Sequence, residues 1–582
     1  ESGSATGTDH QAMNLRDMTS NLQGRRLFLV ACMVLFLLTL VGRAVSLQVV
    51  DKEFLQGQGQ ARHMRVVELP AHRGMIRDRD GEPLAVSTPV ESVWVNPQEL
   101  VGVQEGIPRL AKLLSLDRDY VQQRVTRDPR REFVYLDRHI EPELAVKVKK
   151  LALPGVYLQK EYKRFYPGGE VTAHVVGFTN IDDIGQEGLE LSFDEWLRGE
   201  PGAKRVIKDG QRHTVEDVES IRRPRPGKDL VLSIDRRIQY LAYRELKAAV
   251  QEHKAKSASA VVLDVKTGEV LAMVNQPSYN PNNRDRLRRQ HMRNRAATDV
   301  FEPGSTMKPF VVAAALEDGS YRPDTQVDTE PGWYRVGRNT VRDVHNYGLL
   351  DVTGVIRKSS NVGISKIALS LPGKDIWSLL SGLGFGVQTG SGFPGESAGL
   401  LVGYRNWNQI ETATLSFGYG MSSTPLQLAR AYAVLASGGI RRPVSFLRLD
   451  AAPAGERIMS QRVARQVNSM LEEVTGPQGT ALTARVSGYR VGGKTGTVRK
   501  SIAGGYAEDK YLAVFAGMAP VSDPRLVMVV MVNEPDNGKY YGGQVAGPVF
   551  SRVMSGALRL MAVPPDDLPL PDTLHVAAGD PA

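Results

Sequence analysis

Cysteine is almost absent: the 582-residue chain carries one, Cys32. A single thiol closes no intramolecular disulfide and builds no multi-cysteine zinc site. Aromatics are 7% of the residues, and none interrupts the basic cluster of Arg284, Arg286, Arg288, Arg289, Arg293 and Arg295. The stacking platform of a single-stranded nucleic-acid binder is therefore missing, and the cluster reads as a solvated face. Repeats of ~20–50 residues and long low-complexity tracts are missing as well, which excludes solenoids and propellers. Charge of one sign is in small excess, with 73 Lys plus Arg against 64 acids and a net charge of +9. That surplus permits an anionic membrane surface, wall polymer or nucleic acid without selecting one. What remains is ordinary for folded protein, with 42% hydrophobic and 24% charged residues, and the length suggests two to four domains.

Long apolar runs are also lacking, with one exception. Leu27 to Gly42 are 16 consecutive uncharged positions, and Ala44 to Val50 extends the run beyond Arg43. A hydrocarbon core of ~30 Å takes about 20 helical residues, so one span fits if Arg43 snorkels to an interface. The run is too long for the apolar core of a cleaved signal peptide, and no Ala-x-Ala site closes it. Arg16, Arg25 and Arg26 precede it, while Asp51, Lys52 and Glu53 follow. The positive-inside tendency puts the N-terminus in the cytoplasm and the remainder outside.

Beyond the span, residues 51–225 mix short apolar runs with Gly and Pro, and the turn-rich Ile221 to Gly227 marks the best internal boundary. Lys228 to Ile234 reads as a strand and Asp235 to Lys254 as a helix with an Asp start. Ser259–Val265 and Glu269–Val274 read as a hairpin, and Tyr511–Ala519 with Arg525–Val532 as another. Val549 to Met561 reads as a closing helix and Pro564 to Pro571 as an irregular tail. Strands at both ends with helices between predict one mixed α/β domain whose sheet is completed by distant segments. The expected division is a tail over 1–24, the anchor over 25–50, an exterior domain over 51–225, a second over 226–563 and a tail over 564–582.

The chemistry lies in the last large region. Pro303-Gly304-Ser305-Thr306-Met307-Lys308 places a serine at a turn and a lysine three residues later on a predicted helix. On one helical face, the Lys308 amine can reach the Ser305 hydroxyl. A serine attacks only when a base takes its proton, and a lysine serves when burial or another cation lowers its pKa. Lys358-Ser359-Ser360-Asn361 supplies Ser-x-Asn, and Gly493-Lys494-Thr495-Gly496-Thr497 supplies Lys-Thr-Gly. Neither triplet is specific alone: Ser278-Tyr279-Asn280 and Lys266-Thr267-Gly268 match them too. Only the elements at 305, 359 and 494 run in the order Ser-x-x-Lys, Ser-x-Asn, Lys-Thr-Gly.

In that order, with Phe301 to Pro309 around the serine, the three elements resemble the active site of penicillin-binding proteins and serine β-lactamases. Arg73 to Ala85, Arg164 to Pro167 and Gly185 to Glu190 resemble the pedestal motifs of class B penicillin-binding proteins. Ser416 to Gly420, Lys358 to Ser365 and Lys539 to Gly543 resemble the FtsI, or septal, subgroup. The resemblance implies a penicillin-binding transpeptidase domain, similar to serine β-lactamases, behind an elongated α+β pedestal and one transmembrane helix. It implies a D,D-transpeptidase that cross-links peptidoglycan stem peptides at the division septum and is acylated by β-lactams. Ser305 would be the nucleophile, Lys308 its base and Ser359 the proton relay held by Lys494, while Asn361 would bind the donor peptide and help fix Lys308. Thr495 and Thr497 would receive the donor's terminal carboxylate, Gly496 would leave room for the peptide along the strand, and Tyr419 would wall the cleft. No metal or organic cofactor is implied. The implied partners are donor and acceptor stems, β-lactams, the bacterial inner membrane and, by analogy, a polymerase of the FtsW type. A D,D-carboxypeptidase or β-lactamase, or a sensor without turnover, are the alternatives with the same pocket.

Overall fold

From Asp9 to Val45 the chain is one α-helix, continued by a wider turn over Ser46–Val50. In the computed structural model, the described residues are 9–50, 64–100, 104–128, 130–208, 214–285, 288–502 and 504–567. Arg25–Val50 spans 26 residues with a mean hydropathy of 2.4, long and apolar enough to cross a bilayer, and none of it is covered by protein. Cys32 lies within that stretch, exposed. The helix begins ahead of the apolar run, so much of the segment expected as a tail is helical; Glu1–Thr8 lie outside the described residues.

The N-terminal helix groups with a three-stranded antiparallel sheet of Met64–Leu69, Gly202–Lys208 and Thr214–Arg222. Residues 72–199 and 226–582 form the second compact unit.

Within that second unit, the long strand Pro83–Val95 pairs with Ile76–Arg77, Val134–Ile140 and Val156–Phe165. Val134 and Leu136 turn inward at alternate positions, as a strand with one buried face requires. They meet Leu110, Val121 and Val148 from three short helices, giving this region its own apolar core.

The region that carries the 305, 359 and 494 motifs is built on a five-stranded antiparallel sheet. Its order is Val270–Gln276, Ser257–Asp264, Leu526–Asn533, Gly505–Ala519, Gly492–Ile502. Both predicted hairpins form, with the expected turns. The three strands at one side are buried on both faces, which is why they read as continuous apolar runs rather than alternation. Arg236–Glu252 and Gly547–Leu560 are the predicted helices, the former capped by Asp235, whose carboxylate accepts from the Arg237 and Ile238 N–H groups.

Two expectations change. The strand expected over 228–234 shrinks to Leu230–Val231, paired in parallel with Ile76–Arg77, because the chain must already turn into the capped helix at Asp235. The strand Gly492–Ile502 was legible only as a motif, since glycine is depleted in strands. Here the glycine is sterically required: a Cβ on Gly493 would stand 2.4 Å from the Phe515 ring. Of the expected C-terminal tail, Asp566 is tied down by the Arg490 N–H and the Ser522 hydroxyl, while residues 568 onward lie outside the described residues.

Candidate active site

Ser305 sits on a tight turn, Gly304–Met307, that leads directly into the helix Lys308–Asp318. Gly304 has φ +60°, a conformation that glycine adopts without penalty. Gly418 packs against it so closely that a Cβ there would lie 2.2 Å from the Gly304 carbonyl oxygen. The Ser416 to Gly420 segment therefore fixes the turn beneath the serine by backbone contact.

Lys308 and Lys494 are both 0% exposed. The Lys308 Nζ donates to the Ser359 carbonyl oxygen at 2.5 Å, to Ser359 Oγ at 3.1 Å and to Asn361 Oδ1 at 2.8 Å. Lys494 Nζ donates to the same Ser359 Oγ at 3.0 Å. One hydroxyl thus lies between two buried amines, and among the described residues no carboxylate forms an ion pair with either. Burial, then the charge of Lys494, holds Lys308 well below the ordinary lysine range, with Asp343 opposing the shift. Burial alone brings Lys494 down to about 7. The lysine–serine pair does not meet as the helical spacing predicts. Among the described residues the Ser305 hydroxyl makes no hydrogen bond, because the acceptors of the 359–361 turn draw the Lys308 amine to themselves.

That turn is itself strained and braced. Ser359 has φ +62°, in the left-handed region, where a non-glycine residue costs ~1–3 kcal/mol and persists only when its surroundings fix it. Ser360 caps the helix Asn361–Leu369, accepting from the Gly363 N–H at 2.8 Å. The Asp343 carboxylate accepts from the Ser360 hydroxyl at 2.5 Å and from the Asn361 and Val362 N–H groups at 2.5 and 3.0 Å. Sequence reasoning missed Asp343; it lies 16 residues before Ser359, and no local pattern marks it.

Gly492–Ile502 is the last strand of the sheet order, so one of its edges faces the serine turn. At Gly496 a Cβ would come within 3.1 Å of the Pro303 carbonyl oxygen, so a side chain there would press the strand away from the turn. Thr495 Oγ1 is 3.0 Å from Thr480 Oγ1, and Thr497 Oγ1 accepts from the Gly542 N–H at 3.0 Å. Tyr419 is half-buried, edge-on to Phe417 and Tyr506, with its hydroxyl hydrogen-bonded to the Arg499 backbone. It combines core packing with a place beside the strand.

The competing motif copies are otherwise engaged. Lys266 pairs with Asp523 in a hairpin turn, and the Ser278 hydroxyl donates to the Glu170 carbonyl oxygen. In the basic cluster Arg284, Arg288, Arg289 and Arg293 are exposed, whereas Arg295 is half-buried and, like Arg293, pairs with Asp299; Arg286 lies outside the described residues.

Comparison with known proteins places this geometry. The family described as "Penicillin binding protein transpeptidase domain" matches residues 258–555, and "Penicillin-binding Protein dimerisation domain" matches 68–232. Peptidoglycan D,D-transpeptidase FtsI of Escherichia coli K12 is 46% identical over 545 residues, 93% of this chain and 92% of that protein. The transpeptidase domain of Burkholderia pseudomallei penicillin-binding protein 3 superposes with a TM-score of 0.54 at 46% identity, covering 58% of this chain and 98% of that one. A Bifidobacterium adolescentis peptidoglycan synthetase, at 24% identity, shares the fold over 87% of this chain and 98% of its own, with a TM-score of 0.70.

Proposed function

The chain belongs to the class B penicillin-binding proteins of the FtsI family, and from that membership we propose how its residues carry the reaction. It is a monofunctional serine-type peptidoglycan D,D-transpeptidase of septal wall synthesis. Ser305 Oγ attacks the carbonyl of the penultimate D-Ala of a donor stem while neutral Lys308 takes its proton. Proton acceptance requires the amine to turn from Ser359 toward Ser305; catalytic hydrogen bonds commonly tighten only once substrate is bound. The Ser305 and Thr497 N–H groups hold the oxyanion, where one such donor is worth ~10²–10³-fold in rate. The C–N bond breaks, and the leaving D-Ala amine takes a proton through Ser359, which Lys494 holds. Asn361 binds the donor peptide and steadies Lys308. An acceptor amine then attacks the acyl-enzyme, forming the cross-link and freeing Ser305. Thr495 and Thr497 bind the donor's terminal carboxylate, Gly496 lets the peptide lie along the strand, and Tyr419 borders the cleft.

The observation that carries this reading is the Ser359 hydroxyl shared by two buried lysines. Fluorescent penicillin labelling tests it. Wild type is expected to form a long-lived adduct that Ser305→Ala lacks; labelling that persists in the variant overturns the assignment, and rapid release of the adduct would instead indicate a hydrolase.

The proposed organisation follows the same division as the sequence: tail 1–24, anchor 25–50, pedestal 51–225, transpeptidase domain 226–563 and tail 564–582. The apolar helix fits a single-pass anchor. The arginines before it support a cytoplasmic N-terminus and a periplasmic catalytic domain on a bacterial inner membrane. An FtsW-type polymerase is the proposed membrane partner; co-purification that survives replacement of Leu27–Val50 by an unrelated span would refute contact through the helix.

A further inference from the structure

The helix Gln461–Thr475 has a face the mechanism does not use. Val463, Val467, Met470, Leu471 and Val474 are buried. Gln461, Arg465, Asn468 and Ser469, at i, i+4, i+7 and i+8, instead line a cleft of about 590 Å³. Its other walls are the Lys266 hairpin turn, Ser437–Gly438, Arg442, Arg490 and the Val521–Pro524 turn. None of the residues assigned to the reaction lines it.

The charges in this cleft are unbalanced. Lys266 pairs with Asp523, and Arg490 pairs with Glu472. Arg442 and Arg465 have no ion-pair partner among the described residues; Arg442 makes only a 3.5 Å contact to the Val265 carbonyl oxygen. Buried polar atoms are also left over. Arg442 Nε has no hydrogen-bond partner, and neither has the Oδ1 of Asn468, a residue only 6% exposed whose amide N–H donates to the Leu435 carbonyl oxygen. Buried polar groups are normally paired, so a group left open beside a cleft points to a missing partner. The vacant positions are two guanidinium donors and one carbonyl acceptor. They ask for a ligand that offers an anion and an N–H together, in a volume suited to a short peptide.

We propose that this cleft is a second, non-catalytic binding site for a carboxylate-bearing peptide, the acidic stem of the wall polymer. Its carboxylate would meet Arg442 and Arg465, and an amide N–H would meet Asn468. The choice of stem rests on the transpeptidase reading; the cleft does not depend on Ser305. Occupancy would hold the polymer to the enzyme between cross-linking events.

The test uses the full chain in detergent, with Ser305 first acylated by penicillin to close the catalytic cleft. Disaccharide-pentapeptide is titrated calorimetrically at low and high salt, beside inorganic phosphate. Saturable binding that weakens with salt is expected, about tenfold weaker in Arg465→Gln and in Arg442→Gln, with penicillin acylation rates unchanged. Arg465 lies on an exposed helix face, so its variant remains informative if Arg442→Gln misfolds. Binding unaffected by either substitution, or phosphate binding with no peptide binding, overturns the proposal. Loss of penicillin acylation in the wild type would refute the transpeptidase reading separately.

Discussion

The pedestal and the catalytic cleft each bury cations completely and treat them in opposite ways. Arg73 is 0% exposed; its guanidinium binds both Glu190, at 2.7 Å, and Asp194, at 2.7 Å. Arg164 takes the other Glu190 oxygen at 2.6 Å. Burial pulls the Arg73 pKa down, yet the surrounding carboxylates outweigh it and the net shift is upward. Lys308 and Lys494 are buried as deeply but meet carbonyl, hydroxyl and amide oxygens, sharing the Ser359 hydroxyl. Their pKa values fall. A buried cation given carboxylates becomes a permanent structural charge, whereas one denied them becomes a base. Residue choice follows: arginine stays charged, and lysine can lose its proton.

The sharpest way to break this contrast is Lys308→Arg. A guanidinium cannot accept the Ser305 proton, so penicillin acylation should fall by ~10²–10⁴-fold. Stopped-flow acylation at the parental rate would remove Lys308 as the base. In the pedestal the corresponding change is Glu190→Gln, which leaves two guanidinium groups short of charge. It should cost ~3–5 kcal/mol in denaturant unfolding of the pedestal. A loss comparable to that of a surface substitution would show that the network is solvated in solution.

A smaller effect should appear as a function of pH. Between about 7 and the ordinary lysine value, folded Lys494 is neutral while the unfolded chain holds a proton there. The unfolded state then binds more protons, so stability rises with pH across that window. Melting temperatures of wild type minus Lys494→Gln should trend upward from pH 7; a flat difference would mean that Lys494 keeps its charge. The smallest effect belongs to the competing motif copy. Lys266→Ala removes an exposed pair with Asp523, worth ~0–1 kcal/mol, and should leave acylation untouched.

Legibility followed range along the chain. Asp235 as a cap, the two hairpin turns and the closing helix are local patterns, and all were readable from neighbouring residues. The motif order at 305, 359 and 494 was readable because covalent chemistry demands particular residue types. Asp343 was not, since its role exists only once Ser360, Asn361 and Val362 fold against it. The same holds for Gly418, an ordinary loop glycine until Gly304 lies across it.

The sequence by itself determined the single apolar span and the sheet's two hairpins with their flanking helices, and it marked the serine, the lysines and the asparagine as candidates. Those depend on composition, period and residue chemistry within short windows. Tertiary structure alone decided that Lys308 hydrogen-bonds Ser359 and Asn361 rather than Ser305, and that Asp343 braces the strained turn. It also left both lysines without a carboxylate partner among the described residues. These are properties of the space between segments 17 to 135 residues apart, where burial and neighbouring charge set a proton's affinity and no local pattern records them.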